Sequence, residues 1–116
     1  MDFENVFPDL VKRLPKADIP IDGLDSYLFQ GQDQQFIFMH FNKDVDAPEH
    51  SHEAQWGIVI DGRMDITIGG VLRTLQKGDT YLIPKDIKHS AKIYAGYTDL
   101  TLFNQKDRYK KKDGGG

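Results

Sequence analysis

The chain has 116 residues, no cysteine and a formal net charge of −3. That length accommodates one domain around a single core, and the absence of cysteine excludes disulfides and thiolate metal ligands. The slightly acidic balance argues against non-specific binding to nucleic acid or an anionic membrane, and no apolar run approaches the roughly 18 residues of a membrane span.

Asp2 and Glu4 stand where a secretory signal would carry basic residues, so we expect a cytoplasmic protein. Residues 3–14 hold Phe7, Leu10, Val11 and Leu14 at the i, i+3, i+4, i+7 spacing of a short amphipathic helix. Pro8 suits its first turn and Pro15 ends it. Lys16–Gly31 mixes Pro20, Gly23 and Gly31 with short apolar pieces, which predicts an extended arm with one or two edge strands. The helix and arm are expected to cover an open side or edge of the main body.

From Gln35 the pattern changes to short strands with polar turns. Gln35–Phe41 is predicted as a strand buried on both faces, and Asn42–Glu49, with Pro48, as a loop. Trp56–Ile60 leads through Asp61-Gly62 into the alternating run Arg63–Ile68, a pattern that predicts a hairpin. Gly69-Gly70 predicts a second hairpin into Val71–Leu75. Lys77-Gly78-Asp79 and Pro84–Asp86 are turns, and Thr80–Ile83, Ile87–Tyr94 and Tyr97–Phe103 are further strands. At least seven strands with frequent turns, and helix only at the start, define an all-β sandwich or barrel. Trp56, Ile58 and Ile60 alternate away from Gln55, Gly57 and Val59, which leaves a Trp/Ile row to be buried by another sheet, the arm or a partner subunit. The end of the chain, from Lys106 through Lys110–Lys112 to three glycines, is expected to be solvated or frayed.

The chemistry concentrates in His50-Ser51-His52-Glu53-Ala54-Gln55. On an extended backbone the two histidines would leave the same face with Cα atoms roughly 6.6 Å apart. Two imidazoles so placed can lean onto one cation at about 2.0–2.1 Å each. His89 follows Gly78 and Pro84, and His40 is the only other histidine. Phe36 and Phe38 precede His40 on one side of its strand, which favours a core histidine over a pocket group. Tyr81, Tyr94 and Tyr97 are candidates for a phenol in the pocket, with core filling the commoner use of such residues.

His50, His52, Gln55 and Gly62, followed by Gly78, Pro84 and His89, resemble the two motifs of the cupin superfamily, G-x5-H-x-H-x3–4-E-x6-G and G-x5-P-x-G-x2-H-x3-N. The resemblance covers about residues 35–103. Asp44 stands in place of the first glycine of the pattern, Asp86 in place of a second and Ile93 in place of its Asn. Gln55 occupies the carboxylate position, one residue nearer to His52 than the pattern prescribes, and Glu53 is its rival.

The resemblance implies a cupin-like jelly-roll β-barrel over residues 35–105, with residues 1–34 as helix and arm packed on it and 106–116 as a tail. It also implies a divalent transition metal held by His50, His52, His89 and Gln55. Three imidazoles and an amide suit Fe, Ni, Zn, Mn or Cu. An amide in place of a carboxylate makes the site more cationic, which favours an anionic or enolate-like substrate oxygen. The expected activity is oxygenase, isomerase, cyclase or lyase chemistry on a small organic metabolite in a homodimer. The alternative is a non-catalytic module that binds or senses a sugar or metabolite.

Overall fold

The structure, a computed structural model, describes residues 6–112. A single helical turn, α1 (Asp9–Lys12), precedes nine strands: β1 (Leu24–Gln30), β2 (Gln35–Phe41), β3 (Val45–His50), β4 (Gln55–Asp61), β5 (Arg63–Ile68), β6 (Val71–Gln76), β7 (Thr80–Ile83), β8 (His89–Ile93) and β9 (Thr98–Phe103). They form two antiparallel sheets, ordered β1-β2-β9-β4-β7 and β3-β8-β5-β6. The sheets face one another across a core in which Phe41, Val59, Tyr81 and Tyr97 from one side meet Met64, Ile66, Leu75 and Ile93 from the other. This is the jelly-roll barrel expected.

Most connections cross between the sheets, and here the structure corrects the expected first hairpin. β4 and β5 do not pair; β4 joins β7 and β9, while β5 joins β6 and β8. Gly62 has φ +81 and passes so close to Tyr97 that a Cβ would lie 2.6 Å from the Tyr97 Cα. The Asp-Gly pair thus turns a barrel corner, helped by a bulge between Val59 and Asp61. Gly69-Gly70, with φ +55 and +83, does close the β5–β6 hairpin.

A second correction concerns Asn42–Glu49, where β3 occupies most of the expected loop. Pro48 argues against a strand interior because it has no N–H. β3, however, is an edge strand whose register shifts between Ala47 and His50, so Pro48 interrupts no regular ladder. The N-terminal helix is also shorter than expected. Its start at residues 3–5 lies outside the described residues. Phe7 is buried edge-on against Tyr27 and Phe38, at 5.9 and 5.8 Å between ring centroids. Leu10 is 75% exposed, so the expected stripe is not buried along its length.

β1 lies within the segment assigned to the arm but pairs along its whole length with β2. The arm proper then runs along the free edge of β1, with Ala17 N–H donating to Ser26 O and Leu28 N–H to Pro15 O. The described part of the tail is not frayed. Asp18 N–H donates to Lys110 O and Lys112 N–H to Lys16 O, while Tyr109 packs on the cluster of Ala17, Leu28, Ile37 and Phe103. Arm and tail cover the sheet edge that would otherwise present unpaired backbone groups.

Candidate metal centre

Three histidines converge at the rim of the barrel interior, but not by the route the sequence suggests. His50 ends β3 and lies directly opposite His89, the first residue of β8, as a cross-strand pair. Their rings are 4.2 Å apart between centroids. His52 lies in the connection from β3 to β4 rather than on a strand, so period-two alternation does not orient it. A turn in the β7–β8 connection places it instead: Asp86 N–H donates to His52 O at 2.9 Å. Asp86 has φ +65, the left-handed backbone that the glycine of the family pattern would adopt freely.

Each imidazole is oriented by a backbone carbonyl. Nδ1 of His50 lies 2.8 Å from Pro48 O, that of His52 2.6 Å from Glu53 O, and that of His89 2.9 Å from Ile87 O. A carbonyl can only accept, so every Nδ1 carries the proton and every Nε2 keeps a lone pair. The Nε2 atoms of His52 and His89 are 3.1 Å apart. Two lone pairs facing at that distance repel unless a cation lies between them. At about 2.1 Å from each nitrogen, a metal would see this gap under roughly 95°. One ligand atom from each of the three histidines falls within 4.8 Å of the others, so the triad could hold a metal ion. Burial brings the His52 pKa down to about 4 against its carbonyl hydrogen bond, with the positive charge of Arg108 and the other histidines adding to the fall. Burial likewise lowers that of His89. Neutral imidazoles are the form that binds metals.

Gln55, on β4, lines the same cavity, and its Nε2 donates to Thr101 Oγ1 at 2.9 Å and toward Tyr81 Oη at 3.4 Å. Its carbonyl oxygen therefore points away from Thr101. The Glu53 carboxylate pairs with Lys85 at 3.2 Å, away from the imidazoles. His40 is buried on the opposite face of its sheet, its Nδ1 2.8 Å from Thr98 Oγ1, and does not line the cavity. Tyr94 also lies outside, its hydroxyl donating to Asp65.

The cavity behind the histidines measures about 640 Å³ and is mostly apolar. Two groups that sequence reasoning missed line it, Asp99 and Arg108. Asp99 is on β9 and accepts hydrogen bonds at one oxygen, Oδ2, from Tyr81 at 2.9 Å and Tyr97 at 2.7 Å. Burial pushes its pKa up to about 6, and the two phenols counter that rise. Alternation with Thr101 and Phe103 was the available signal that Asp99 faces inward. Arg108 was hidden in a polar tail; its guanidinium stacks over Tyr109 at 4.5 Å, and its buried Nε has no hydrogen-bond partner among the described residues. Gly57 makes room for this arrangement, since a Cβ there would overlap the Tyr81 ring.

A family profile described as "Cupin domain" matches residues 37–102, more than half of the chain. A search of curated proteins returned no match. Among solved structures, an RmlC-like cupin from Shewanella frigidimarina superposes with a TM-score of 0.70 at 21% identity, covering 81% of this chain and 86% of that one. KdgF from Halomonas sp. gives 0.67 at 20% identity, over 78% of this chain and 87% of its own. Oxalate decarboxylase OxdC of Bacillus subtilis gives 0.68 at 19% identity, over 80% of this chain but only 28% of its own, so a single barrel corresponds to part of that longer protein. Among the described residues no helix is long and apolar enough to cross a membrane. With both histidine motifs brought to one rim of a jelly-roll barrel and the profile spanning its strands, this chain belongs to the cupin family.

Proposed function

We propose that the barrel interior is a metal-dependent site for a small anionic metabolite, with His50, His52 and His89 holding one divalent transition metal through Nε2 and Gln55 contributing its amide oxygen. The observation that carries this reading is the shared tautomer: three Nδ1 protons committed to backbone carbonyls, which leaves Nε2 of each ring free to bind, in a cluster whose ligand atoms lie within 4.8 Å of one another. Such a metal would supply Lewis-acid polarisation of a substrate oxygen, the common element of isomerase, lyase, cyclase and oxygenase chemistry next to a carbonyl. Arg108 supports the choice of an anion, as a cavity-lining guanidinium with an unused buried N–H. Manganese is the first metal to test, because the similar oxalate decarboxylase is described with Mn(II) centres.

Metal analysis after loading with Mn, Fe, Ni, Zn and Cu in turn should find about one tightly held ion per chain. In His52→Ala that stoichiometry should collapse while the fold, read by circular dichroism, persists. Equal metal retention by the two proteins would overturn the assignment.

We also propose that the chain acts as a homodimer through the outer face of its five-stranded sheet. Phe29, Phe36, Leu102, Trp56 and Leu82 lie opposite one another in register across all five strands, with Phe29, Trp56 and Leu82 exposed. A contiguous apolar row of this kind marks an association surface, and a self-complementary sheet face suits a two-fold partner.

A further inference from the structure

We propose that Asp99 is a specificity-determining residue, whose Oδ1 accepts a hydrogen bond from a hydroxyl group of the ligand in the barrel cavity. The inference requires the cavity to be the ligand site, but it does not require the metal.

The starting point is a carboxylate with only one oxygen in use. Tyr81 and Tyr97 both donate to Oδ2, whereas Oδ1 is buried and has no hydrogen-bond partner among the described residues. Asp99 is 3% exposed and lines the 640 Å³ cavity. An ionised carboxylate carries about four acceptor sites, and leaving one oxygen dry and unpaired costs on the order of 1–3 kcal/mol or more. Structures usually avoid that cost unless a ligand, an ion or an ordered water removes it.

The surroundings define what the missing donor can be. The phenols are already oriented: Gln55 Nε2 donates toward Tyr81 Oη, so the phenol proton turns to Asp99. Burial and the Asp99 charge raise the pKa of both tyrosines, which keeps them as donors. The residue that carries the remaining acceptor lines a cavity whose wall includes Met39, Phe41, Ile66, Ile83 and Phe103. An ammonium donor would share the cavity with the positive charge of Arg108; a hydroxyl group carries no such penalty. Gln55, Tyr81 and Thr101 form one connected network with Asp99. A change in the bound hydroxyl is thereby felt at the amide proposed as the fourth ligand.

The test compares D-gluconate with hexanoate, two six-carbon monoanions that differ in hydroxyl groups, by calorimetric titration of the metal-free protein. Working without metal separates this inference from the metal assignment, which stands or falls on metal analysis. In Asp99→Asn the amide oxygen can keep the tyrosine bonds, but its NH₂ replaces the acceptor with a donor. The gluconate-to-hexanoate affinity ratio should fall about tenfold, the size of one charge-assisted hydrogen bond. In the wild-type protein the Asp99 carboxyl carbon resonance should shift on saturation with gluconate and stay in place with hexanoate, a readout that needs no variant. An unchanged ratio, an unmoved resonance, or a wild-type cavity that takes up neither anion overturns the proposal.

Discussion

The two sheets of this barrel obey the same alternation and reach opposite results on both of their faces. On the outer face of the four-stranded sheet, Asp46, Lys92, Asp65 and Thr74 stand opposite one another, and Asp65 gathers Arg63, Thr74 and Tyr94 into a solvated network. The five-stranded sheet carries phenylalanine, leucine and tryptophan at the equivalent positions. Inside, the four-stranded sheet contributes His50 and His89, while the five-stranded sheet contributes Gln55, Tyr81, Asp99 and Thr101. One sheet is finished against water and presents imidazoles that could hold a cation. The other presents an acceptor and its oriented donors, and leaves Phe29, Trp56 and Leu82 exposed outside.

The largest expected effect strikes the inner face of the five-stranded sheet. Gly57→Ala drives a methyl into the buried Tyr81 ring, which cannot yield without loosening its bond to Asp99. Overpacking of this kind should cost about 3 kcal/mol in chemical denaturation. The outer network of the other sheet offers the contrast. Asp65→Asn there should cost only a small fraction of that, because the Arg63 partner is exposed and the pair is solvent-screened. Similar losses in the two variants would mean that the sheets do not differ as described.

Proton linkage separates the inner walls next, in metal-free protein. Asp99 has a folded pKa raised from 3.8 to about 6, so the folded state holds a proton that the unfolded chain has released. Its contribution is fully present below pH 3.8 and is lost as the pH rises through 6, a change of about 2 kcal/mol between pH 4 and 6. His52 runs the other way. Its folded pKa is lowered from 6.5 to about 4, so stability is complete above 6.5 and is lost as the pH falls toward 4. In the wild-type protein the two slopes partly cancel. Asp99→Asn should therefore make stability, read from thermal melts, rise more steeply from pH 4 to 6, and parallel profiles for the two proteins would refute the linkage.

The outer faces are compared by charge insertion. Trp56→Glu should weaken dimerisation at least about thirtyfold in analytical ultracentrifugation, as loss of a central aromatic does at an interface. Lys92→Glu, on the outer face of the other sheet, should leave it unchanged. A monomeric wild type at high micromolar concentration would remove the partner from the comparison.

Much of this contrast was legible in the sequence, and the illegible parts share a cause. Alternation in Gln55–Ile60 separates Trp56 from Gln55 without any structure, and Gly78, Pro84 and His89 identify the second motif. Asp61-Gly62 misled because a local turn signal does not say whether the next strand pairs with the last or leaves for the other sheet. Pro48 disguised an edge strand. Asp99 reads as an isolated acid among apolar residues because Tyr81, eighteen positions earlier, becomes its partner only through the β4–β7 and β4–β9 pairings. Tyr109 and Arg108 sit in a polar run whose docking depends on backbone pairing with the arm, which composition does not report.

The smallest expected effect lies in the link between the sheets. Residues 84–88 carry the chain from β7 to β8, and Ile87 N–H donates to Pro84 O at 3.2 Å, which closes a turn with Asp86 at its third position. With φ +65 there, the turn is of the kind that glycine fills without steric cost, whereas an aspartate bears some strain. Asp86→Gly relieves that strain but adds backbone freedom to the unfolded chain, so the gain should be only about 0.5 kcal/mol. The Asp86 N–H that holds His52 O is retained in the variant, and metal retention should not change. Stabilisation with unchanged metal content would show that Asp86 serves through its backbone alone. A loss of stability would show that its carboxylate takes part in joining the sheet that carries the acid to the sheet that carries the imidazoles.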